Sequence, residues 1–277
     1  MAWVISTDMD GTLLNHHDYC WESARPCLEF LEQAGIPVIL NTSKTFAEVK
    51  EWVQTLAINH PFIVENGSAI YCPKGYFSDT TLARAPEQVS REGDYNVIRL
   101  GAGIQDLLAF KQQHAPDVES LVECTLEAAV DLTGLAVDQA LAAQDRYYTL
   151  PLVVDDATTL AKLVSAAEEA QLQVLSGGRF AHLMGLCDKG RAIQYFCALY
   201  CQQFDQRPSL IALGDSGNDR AMLAVADHAI LVRNHNDGWL DMDGDTIYRT
   251  RQQAPEGWVE GIVEVLSIDF QTLKELT

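Results

Sequence analysis

Basic residues are scarce in this 277-residue sequence. Nineteen lysines and arginines stand against 39 aspartates and glutamates, which gives a formal net charge of -20. A surface this acidic repels nucleic acid and anionic membranes, so neither is expected as a partner. It also repels phosphorylated small molecules at long range. Any phosphate site must therefore be a local positive region, formed by a metal ion, lysines and backbone N–H groups.

The sequence also lacks long apolar runs and a disulfide pattern. No apolar stretch approaches the ~20 residues that a membrane-spanning helix requires. The apolar N-terminus is short for a signal peptide, and Asp8 and Asp10 interrupt it, so we interpret it as a buried first strand. The seven cysteines are an odd number and widely scattered. They indicate reduced core residues of a cytoplasmic protein.

The order of predicted elements divides the chain into two parts. Residues 1–84 alternate short apolar runs with helical periodicity, and the same alternation resumes near Asp188. This β-α-β-α order predicts an α/β fold with a doubly wound, parallel-sheet (Rossmann-like) core, formed by residues 1–84 and 186–277. Residues 85–185 lack that order, and they predict an inserted α/β cap domain. Within the cap we expect a polar segment at 85–94, strands at 95–100 and 147–154, and helices at 104–114 and 157–170.

The first polar cluster follows the first predicted strand, at residues 8–12. It contains Asp8 and Asp10, followed by Gly11 and Thr12. In an open parallel sheet, ligands bind beyond the carboxyl ends of the strands. A chain that turns away there can aim its two carboxylates separately, so that one acts as a nucleophile and the other as a general acid and base. Asp-x-Asp pairs are common on surfaces, but the position after a buried strand favours the catalytic interpretation.

Two further clusters lie where predicted helices begin. Thr42, Ser43 and Lys44 follow the second predicted strand, and hydroxyls with N–H groups at a helix N-terminus can bind phosphate. A plain helix cap explains the same residues equally well. Lys189, at the start of a later helix, can neutralise phosphate charge and stabilise an attacking carboxylate.

Residues 214–219 form the most specific cluster, a glycine turn after a predicted strand. Asp215, Asn218 and Asp219 supply hard oxygen ligands there. Mg²⁺ prefers one or two carboxylates together with waters and substrate phosphate oxygens. A calcium loop is a competing interpretation, but these residues lack its alternating spacing and its closing glutamate. The cluster therefore predicts a Mg²⁺ site.

Together the four clusters resemble the motifs of the haloacid dehalogenase superfamily of phosphotransferases, in the expected order along the whole chain. The resemblance implies that Asp8 is the nucleophile and Asp10 the acid and base. It implies that Thr42 is the phosphate-binding hydroxyl and Lys189 the lysine of the third motif. The implied metal ligands are Asp8, the backbone carbonyl of Asp10, Asp215 and Asp219, with Asn218 in support.

The segment between the second and third motifs is similar to the larger α/β cap of this superfamily, which closes over the site and selects the substrate. Short matches resemble one branch, the mannosyl-3-phosphoglycerate phosphatases. They are Thr-Ser-Lys-Thr at 42–45, Glu-Asn-Gly at 65–67, Gly-Gly-Arg-Phe at 177–180 with a nearby histidine, and Pro-Glu-Gly-Trp at 255–258. The implied substrate contacts are Ser43, Lys44, Glu65, Asn66, Arg179, His182 and Asn218.

The implied activity is Mg²⁺-dependent hydrolysis of a phosphomonoester through a phospho-aspartate intermediate. The expected substrate is a small phosphorylated sugar acid, mannosyl-3-phosphoglycerate, and the product mannosylglycerate is a compatible solute. One alternative is a phosphatase for another sugar phosphate, such as glucosyl-3-phosphoglycerate or a hexose phosphate. A mutase fits the large cap less well, and a dehalogenase needs neither a second aspartate nor a metal site.

An alternative of another class is a non-catalytic phospho-acceptor switch. Receiver modules also gather aspartates, a hydroxyl and a lysine around Mg²⁺ on a parallel sheet. They have no cap of about a hundred residues and need no general acid. Asp10 and the insertion therefore argue against the switch. The sequence leaves the oligomeric state and the identity of the sugar open.

Overall fold

The structure is a computed structural model that describes residues 2–85, 87–177 and 179–268. The strands are β1 (Trp3–Thr7), β2 (Val38–Leu40), β3 (Phe62–Val64), β4 (Ala69–Pro73), β5 (Gln88–Glu92), β6 (Tyr95–Arg99), β7 (Thr149–Leu152), β8 (Leu172–Gly177), β9 (Phe180–Gly185), β10 (Ser209–Gly214), β11 (His228–Arg233) and β12 (Ile247–Gln253). The helices are α1 (Arg25–Gln33), α2 (Phe46–Thr55), α3 (Asp79–Ala83), α4 (Ile104–His114), α5 (Leu126–Thr133), α6 (Val137–Gln144), α7 (Ala157–Glu169), α8 (Lys189–Phe204), α9 (Arg220–Ala224) and α10 (Glu256–Leu266).

Five parallel strands form the central sheet, in the order β12-β11-β10-β1-β2. Helices cover both faces of it. Val4 on β1 belongs to the buried cluster that includes α8 and α9, whereas the next residue, Ile5, belongs to the cluster that includes α1, α2 and α10. Burial on both faces explains why the strand is continuously apolar, and each such side chain contributes about 2 kcal/mol. The predicted parallel α/β core is confirmed.

A second sheet, in the order β3-β4-β6-β5, is antiparallel, and a bridge between Asn41 and Ile63 joins it to the central sheet. Strand β6 pairs with β4 along its whole length, and Ile98 shares a buried cluster with Val4. The predicted domain boundary at residue 85 therefore falls before a hairpin that pairs and packs with the core. We propose that the cap begins near residue 101 instead and ends near residue 186.

The cap has its own sheet, in the antiparallel order β7-β9-β8. Helices α4 and α7 pack on it through a buried cluster that includes Leu107 and Leu163, and α5 and α6 form a smaller cluster beside it. The helix expected at 104–114 has those bounds in the structure. Within the described part of the chain, no helix combines the length and the apolar character that a membrane span requires.

Candidate active site

The loops that follow β1, β2 and β10 meet at one edge of the central sheet. Strand β1 lies between β10 and β2, so the loop that begins with Asp8 stands in the middle. The backbone N–H of Asp8 donates to the carbonyl of Leu213 on β10, at 3.0 Å, which continues the strand pairing into the loop. The polar clusters that the sequence separates by up to two hundred residues are thereby brought to one place, as expected for a parallel sheet.

Lys189 forms the centre of this site. Its side chain is 0% exposed, and its Nζ atom lies 2.7 Å from Oδ1 of Asp8 and 2.7 Å from Oδ1 of Asp219. Asp188 caps α8 by accepting a hydrogen bond from the N–H of Arg191, and this fixes Lys189 at the first position of the helix. A lysine this deeply buried is tolerated only when it is paired, and here two carboxylates pair with it.

Three carboxylates, those of Asp8, Asp215 and Asp219, surround a common point, with one oxygen of each within 4.8 Å of the others. Burial raises the pKa of Asp8 to about 7, with Lys189 opposing the rise and Asp219 adding to it. Burial and the charges of Asp219 and Asp8 raise the pKa of Asp215 to about 8. The raised pKa values show that Lys189 alone does not offset the charges of three buried carboxylates. Hard oxygen atoms that lack sufficient positive charge fit a divalent cation such as Mg²⁺.

The loop after β10 is held by Asp219. Its Oδ2 atom accepts hydrogen bonds from the backbone N–H groups of Asp215 and Ser216, both at 3.1 Å. Any Cβ atom at Gly214 would collide with the side chain of Asp219, so only glycine allows this approach. Thr12 donates from its hydroxyl to Oδ1 of Asp215 at 3.0 Å. The orientation of Asp215 is thus fixed from two sides.

Asp10 lies apart from the three carboxylates and pairs with Lys44. Its Oδ2 atom is 2.8 Å from Nζ of Lys44, which also lies 3.6 Å from Glu48. Burial alone would lower the pKa of Lys44, but the carboxylates of Asp10 and Glu48 raise it above its ordinary value. Lys44 is therefore charged and stands beside the residue expected to act as acid and base. Thr42, nearby in sequence, is buried and accepts a hydrogen bond from the N–H of Lys44.

Glu65 connects the core to the cap. Its carboxylate accepts hydrogen bonds from the backbone N–H groups of residues 147, 148 and 149, at 2.7 to 3.1 Å, and from the hydroxyl of Thr149. The following residue, Asn66, accepts a hydrogen bond from Asn218 at 3.1 Å. Gly67 has a φ of +91°, and a side chain there would collide with the backbone of Asp188. Through these contacts Glu65 positions residues 147–149 of the cap relative to the core. Its predicted contact with substrate stays a prediction.

Replacing Glu65 by glutamine is expected to lower the free energy of unfolding by about 2 kcal/mol. An amide brings an N–H donor toward the buried N–H groups that the carboxylate now satisfies, and charge-assisted hydrogen bonds become neutral ones. Urea denaturation monitored by circular dichroism measures the change. Glu169→Gln, on the exposed end of α7, is the matched control. Equal stability of the two variants would show that the connection contributes nothing.

A cavity of about 230 Å³ separates the core from the cap, and we call it the inner cavity. Among its lining residues are Asp10, Ser43, Lys44, Arg146, Arg179 and His182. Within the described residues, Oδ1 of Asp10 and Nδ1 of His182 are buried without a hydrogen-bond partner. Buried polar atoms are rarely left unpaired in a native protein, and two of them around one cavity indicate a ligand site.

Two cap residues of the inner cavity were predicted from the sequence. Arg179 donates through one guanidinium nitrogen to the carbonyls of Leu132 and Thr133, at the end of α5. Burial and the charge of Arg146 lower the pKa of His182 to about 3, so its ring is neutral near pH 7. The structure brings both residues to the cavity that Asp10 and Lys44 also line. Their contacts with substrate remain predictions.

Arg146 and Tyr19 were not predicted. Arg146 donates to the carbonyl of Ser43 and to the hydroxyl of Thr149, and it thereby spans the core and the cap. It follows a helix end in a segment without clear periodicity, so nothing in the sequence distinguishes it. Tyr19 places its ring 5.1 Å from Nζ of Lys44. The polar loop around it gave no signal beyond that of an exposed turn.

Comparison with known proteins agrees with this geometry. The family model of haloacid dehalogenase-like hydrolases matches residues 5–89, and that of sucrose-6F-phosphate phosphohydrolase matches residues 132–267. A glucosyl-3-phosphoglycerate/mannosyl-3-phosphoglycerate phosphatase of Persephonella marina is 36% identical over 95% of this chain and 97% of its own length. An enzyme of the same description from Methanococcoides burtonii is 35% identical over 96% of this chain and 98% of its own length.

A solved structure supports the fold. The sucrose-phosphatase of Synechocystis, determined with sucrose and phosphate, has a TM-score of 0.62 at 16% identity and covers 95% of this chain and 98% of its own. The chain belongs to the haloacid dehalogenase-like hydrolases and is a phosphoric monoester hydrolase. Within that superfamily it resembles the mannosyl-3-phosphoglycerate phosphatase branch. The alternative of a non-catalytic switch is not favoured.

Proposed function

We propose that the protein is a Mg²⁺-dependent phosphatase that converts mannosyl-3-phosphoglycerate to mannosylglycerate and phosphate through a phospho-aspartate. The observation that carries this proposal is the buried Lys189 between Asp8 and Asp219, beside Asp215. The names of the two relatives support a glycosylated phosphoglycerate, and they make glucosyl-3-phosphoglycerate an equal candidate. The free thiols of all seven cysteines support a reducing, cytoplasmic setting.

Asp8, Asp215, Asp219 and the backbone carbonyl of Asp10 would hold the Mg²⁺ ion. The ion would offset the repulsion between the phosphate and the carboxylates and polarise the phosphoryl group. Because burial raises the pKa values of Asp8 and Asp215, binding of a cation should release protons from the site.

In the proposed reaction, a carboxylate oxygen of Asp8 attacks phosphorus, and the bond between phosphorus and the glycerate oxygen breaks. Asp10 donates its proton to the departing alkoxide. The carboxylate of Asp10 then takes a proton from water, which attacks the aspartyl phosphate and regenerates Asp8. Lys189, the hydroxyl of Thr42 and backbone N–H groups stabilise the phosphoryl oxygens.

The pair of Asp10 and Lys44 must separate during this cycle. Nζ of Lys44, 2.8 Å from Oδ2 of Asp10, occupies the carboxylate that the proposed reaction requires to transfer a proton. The glycerate carboxylate of the substrate offers Lys44 an alternative partner within the inner cavity. We propose that the substrate draws Lys44 away and frees Asp10 to act as the acid.

A panel of phosphate esters tests the proposed function. We expect kcat/KM for mannosyl- and glucosyl-3-phosphoglycerate to exceed that for sucrose 6-phosphate and hexose phosphates by at least about tenfold, since only the former carry a carboxylate. Released phosphate is the readout, with added Mg²⁺ and with excess chelator. Preference for sucrose 6-phosphate would overturn the substrate assignment. Full activity in chelator would overturn the metal assignment.

Arg179→Ala is expected to lower kcat/KM for a glycosyl-3-phosphoglycerate by roughly ten- to a thousandfold, as for a lost charged contact. Arg179 lines the inner cavity, and its remaining guanidinium nitrogens are able to bind the glycerate carboxylate. Hydrolysis of a small aryl phosphate, which has no carboxylate, should remain nearly unchanged. Arg207→Ala, at an exposed position, is the control. Equal losses on both substrates would refute a carboxylate contact.

A further inference from the structure

A larger cavity adjoins the inner cavity, and we call it the outer cavity. Its volume is about 520 Å³, within the range of about 300–1,000 Å³ that small-molecule sites occupy. It lies between the loop that precedes α1, helix α2 and the cap helix α6. Tyr19, Lys44, Glu48 and Leu135 line both cavities, so the two are neighbours. The proposed reaction uses the inner cavity and leaves the outer one without a role.

The two cavities differ in charge. The inner cavity has three cationic side chains, those of Lys44, Arg146 and Arg179, against two carboxylates. The outer cavity has the cation Lys44 against five carboxylates. A phosphate or carboxylate group is therefore attracted to the inner cavity and repelled from the outer one. The ligand that fits the outer cavity is neutral or cationic.

The remaining lining of the outer cavity favours a neutral, hydroxyl-rich ligand. Carboxylates such as Glu51 and Asp138 accept hydrogen bonds from hydroxyl groups, and the two are exposed and free of ion pairs among the described residues. Trp52 and Tyr19 add aromatic surface, with their ring centroids 6.4 Å apart. Apolar ring faces combined with a few polar acceptors are a common lining of small-molecule sites.

Tyr19 stands at the boundary of the two cavities. Its ring contacts Lys44, which lines both cavities, and faces Trp52, which lines the outer cavity. Its backbone has a φ of +57°, a conformation that tyrosine rarely adopts and that costs free energy. Because Tyr19 lines both cavities, a ligand that extends from the inner cavity past Tyr19 would enter the outer one.

We propose that the outer cavity binds the neutral hexose ring of the substrate, with Glu51, Asp138 and Trp52 as specificity-determining residues. This inference rests on the proposed function, because it requires a substrate whose charged and neutral parts are separate. The phosphate then occupies the site of Asp8, the glycerate carboxylate the inner cavity, and the hexose the outer cavity. Sugar recognition would accordingly come largely from the core loop and α2, with the cap contributing α6.

The double variant Glu51→Gln/Asp138→Asn tests the assignment. We expect KM for mannosyl-3-phosphoglycerate to rise about tenfold, because two hydrogen bonds from hydroxyls to charged acceptors become weaker. For 3-phosphoglycerate, which lacks the hexose, KM should stay constant or fall, since removing negative charge favours any anion. The control Glu168→Gln/Glu169→Gln makes the same change in charge on the exposed end of α7.

Product inhibition supplies a second measurement that does not depend on hydrolysis of the glycosylated substrate. With an aryl phosphate as the reporter, the inhibition constant of mannosylglycerate should rise about tenfold in the double variant and in Trp52→Leu, while that of glycerate stays constant. If wild-type protein hydrolyses mannosyl- or glucosyl-3-phosphoglycerate but the variants keep wild-type constants, the outer-cavity assignment alone fails. If wild-type protein hydrolyses neither compound, the proposed function fails and the assignment fails with it.

Discussion

Asp8→Asn is expected to lower kcat by several orders of magnitude while leaving the protein folded. The amide keeps the shape of the side chain but removes the oxygen that we propose attacks phosphorus and one carboxylate of the proposed metal site. Stability should be equal or higher, because burial and neighbouring carboxylates already raise the pKa of Asp8 to about 7 and thereby disfavour its charge. A catalytic carboxylate that strains the folded state is a common cost of activity.

Released phosphate and the melting temperature of the metal-free protein are the two measurements for this variant. Asp94→Asn, at an exposed turn, controls for the loss of one negative charge. Retention of a tenth of wild-type kcat would remove Asp8 from the nucleophilic role. A large drop in melting temperature would show that the carboxylate stabilises the fold.

Lys189→Met is expected to remove most activity and to lower the free energy of unfolding by about 3–5 kcal/mol near pH 8, as for a buried ion pair that loses one partner. In the variant, Asp8 and Asp219 face each other without a cation. The pKa of Asp8, already raised by burial, should then rise further, so that the folded state takes up a proton as the pH falls. The destabilisation should therefore shrink between about pH 8 and pH 6.

Urea denaturation at the two pH values measures this change. Lys162→Met, on the exposed face of α7, makes the same substitution without a buried partner and should show little effect at either pH. A destabilisation that is independent of pH would mean that Lys189 acts through packing and not through its charge.

The core was predictable because its physical signals are strong and local. Strand β1 is a short apolar run, and Asp8 follows it directly, so the sheet topology determines where the carboxylate lies. The hairpin of β5 and β6 was harder to predict, because every residue of β5 is exposed or half-buried and its sequence is mostly polar. We therefore propose a boundary near residue 101, after this hairpin, in place of the predicted one at residue 85.

The cap side of the site could not be predicted in the same way. Arg146 reaches the core only through a contact between distant segments, and it lies just before the strand expected at 147–154, where nothing in the sequence marks it. The carboxylate of Glu65 is at the end of a strand, and the resemblance implies a substrate contact there. Only the three-dimensional arrangement shows that its oxygens accept hydrogen bonds from backbone N–H groups of the cap.

Neighbouring residues in the turn after β3 have partners in two different parts of the enzyme. Glu65 binds the start of β7 within the cap, and Asn66 binds Asn218 in the loop of Asp215 and Asp219. A displacement of the cap about this turn therefore changes the environment of both. If a bound cation changes the affinity for substrate by some factor, thermodynamic linkage requires that bound substrate change the affinity for the cation by the same factor. Cap closure and metal retention would be two readouts of one equilibrium.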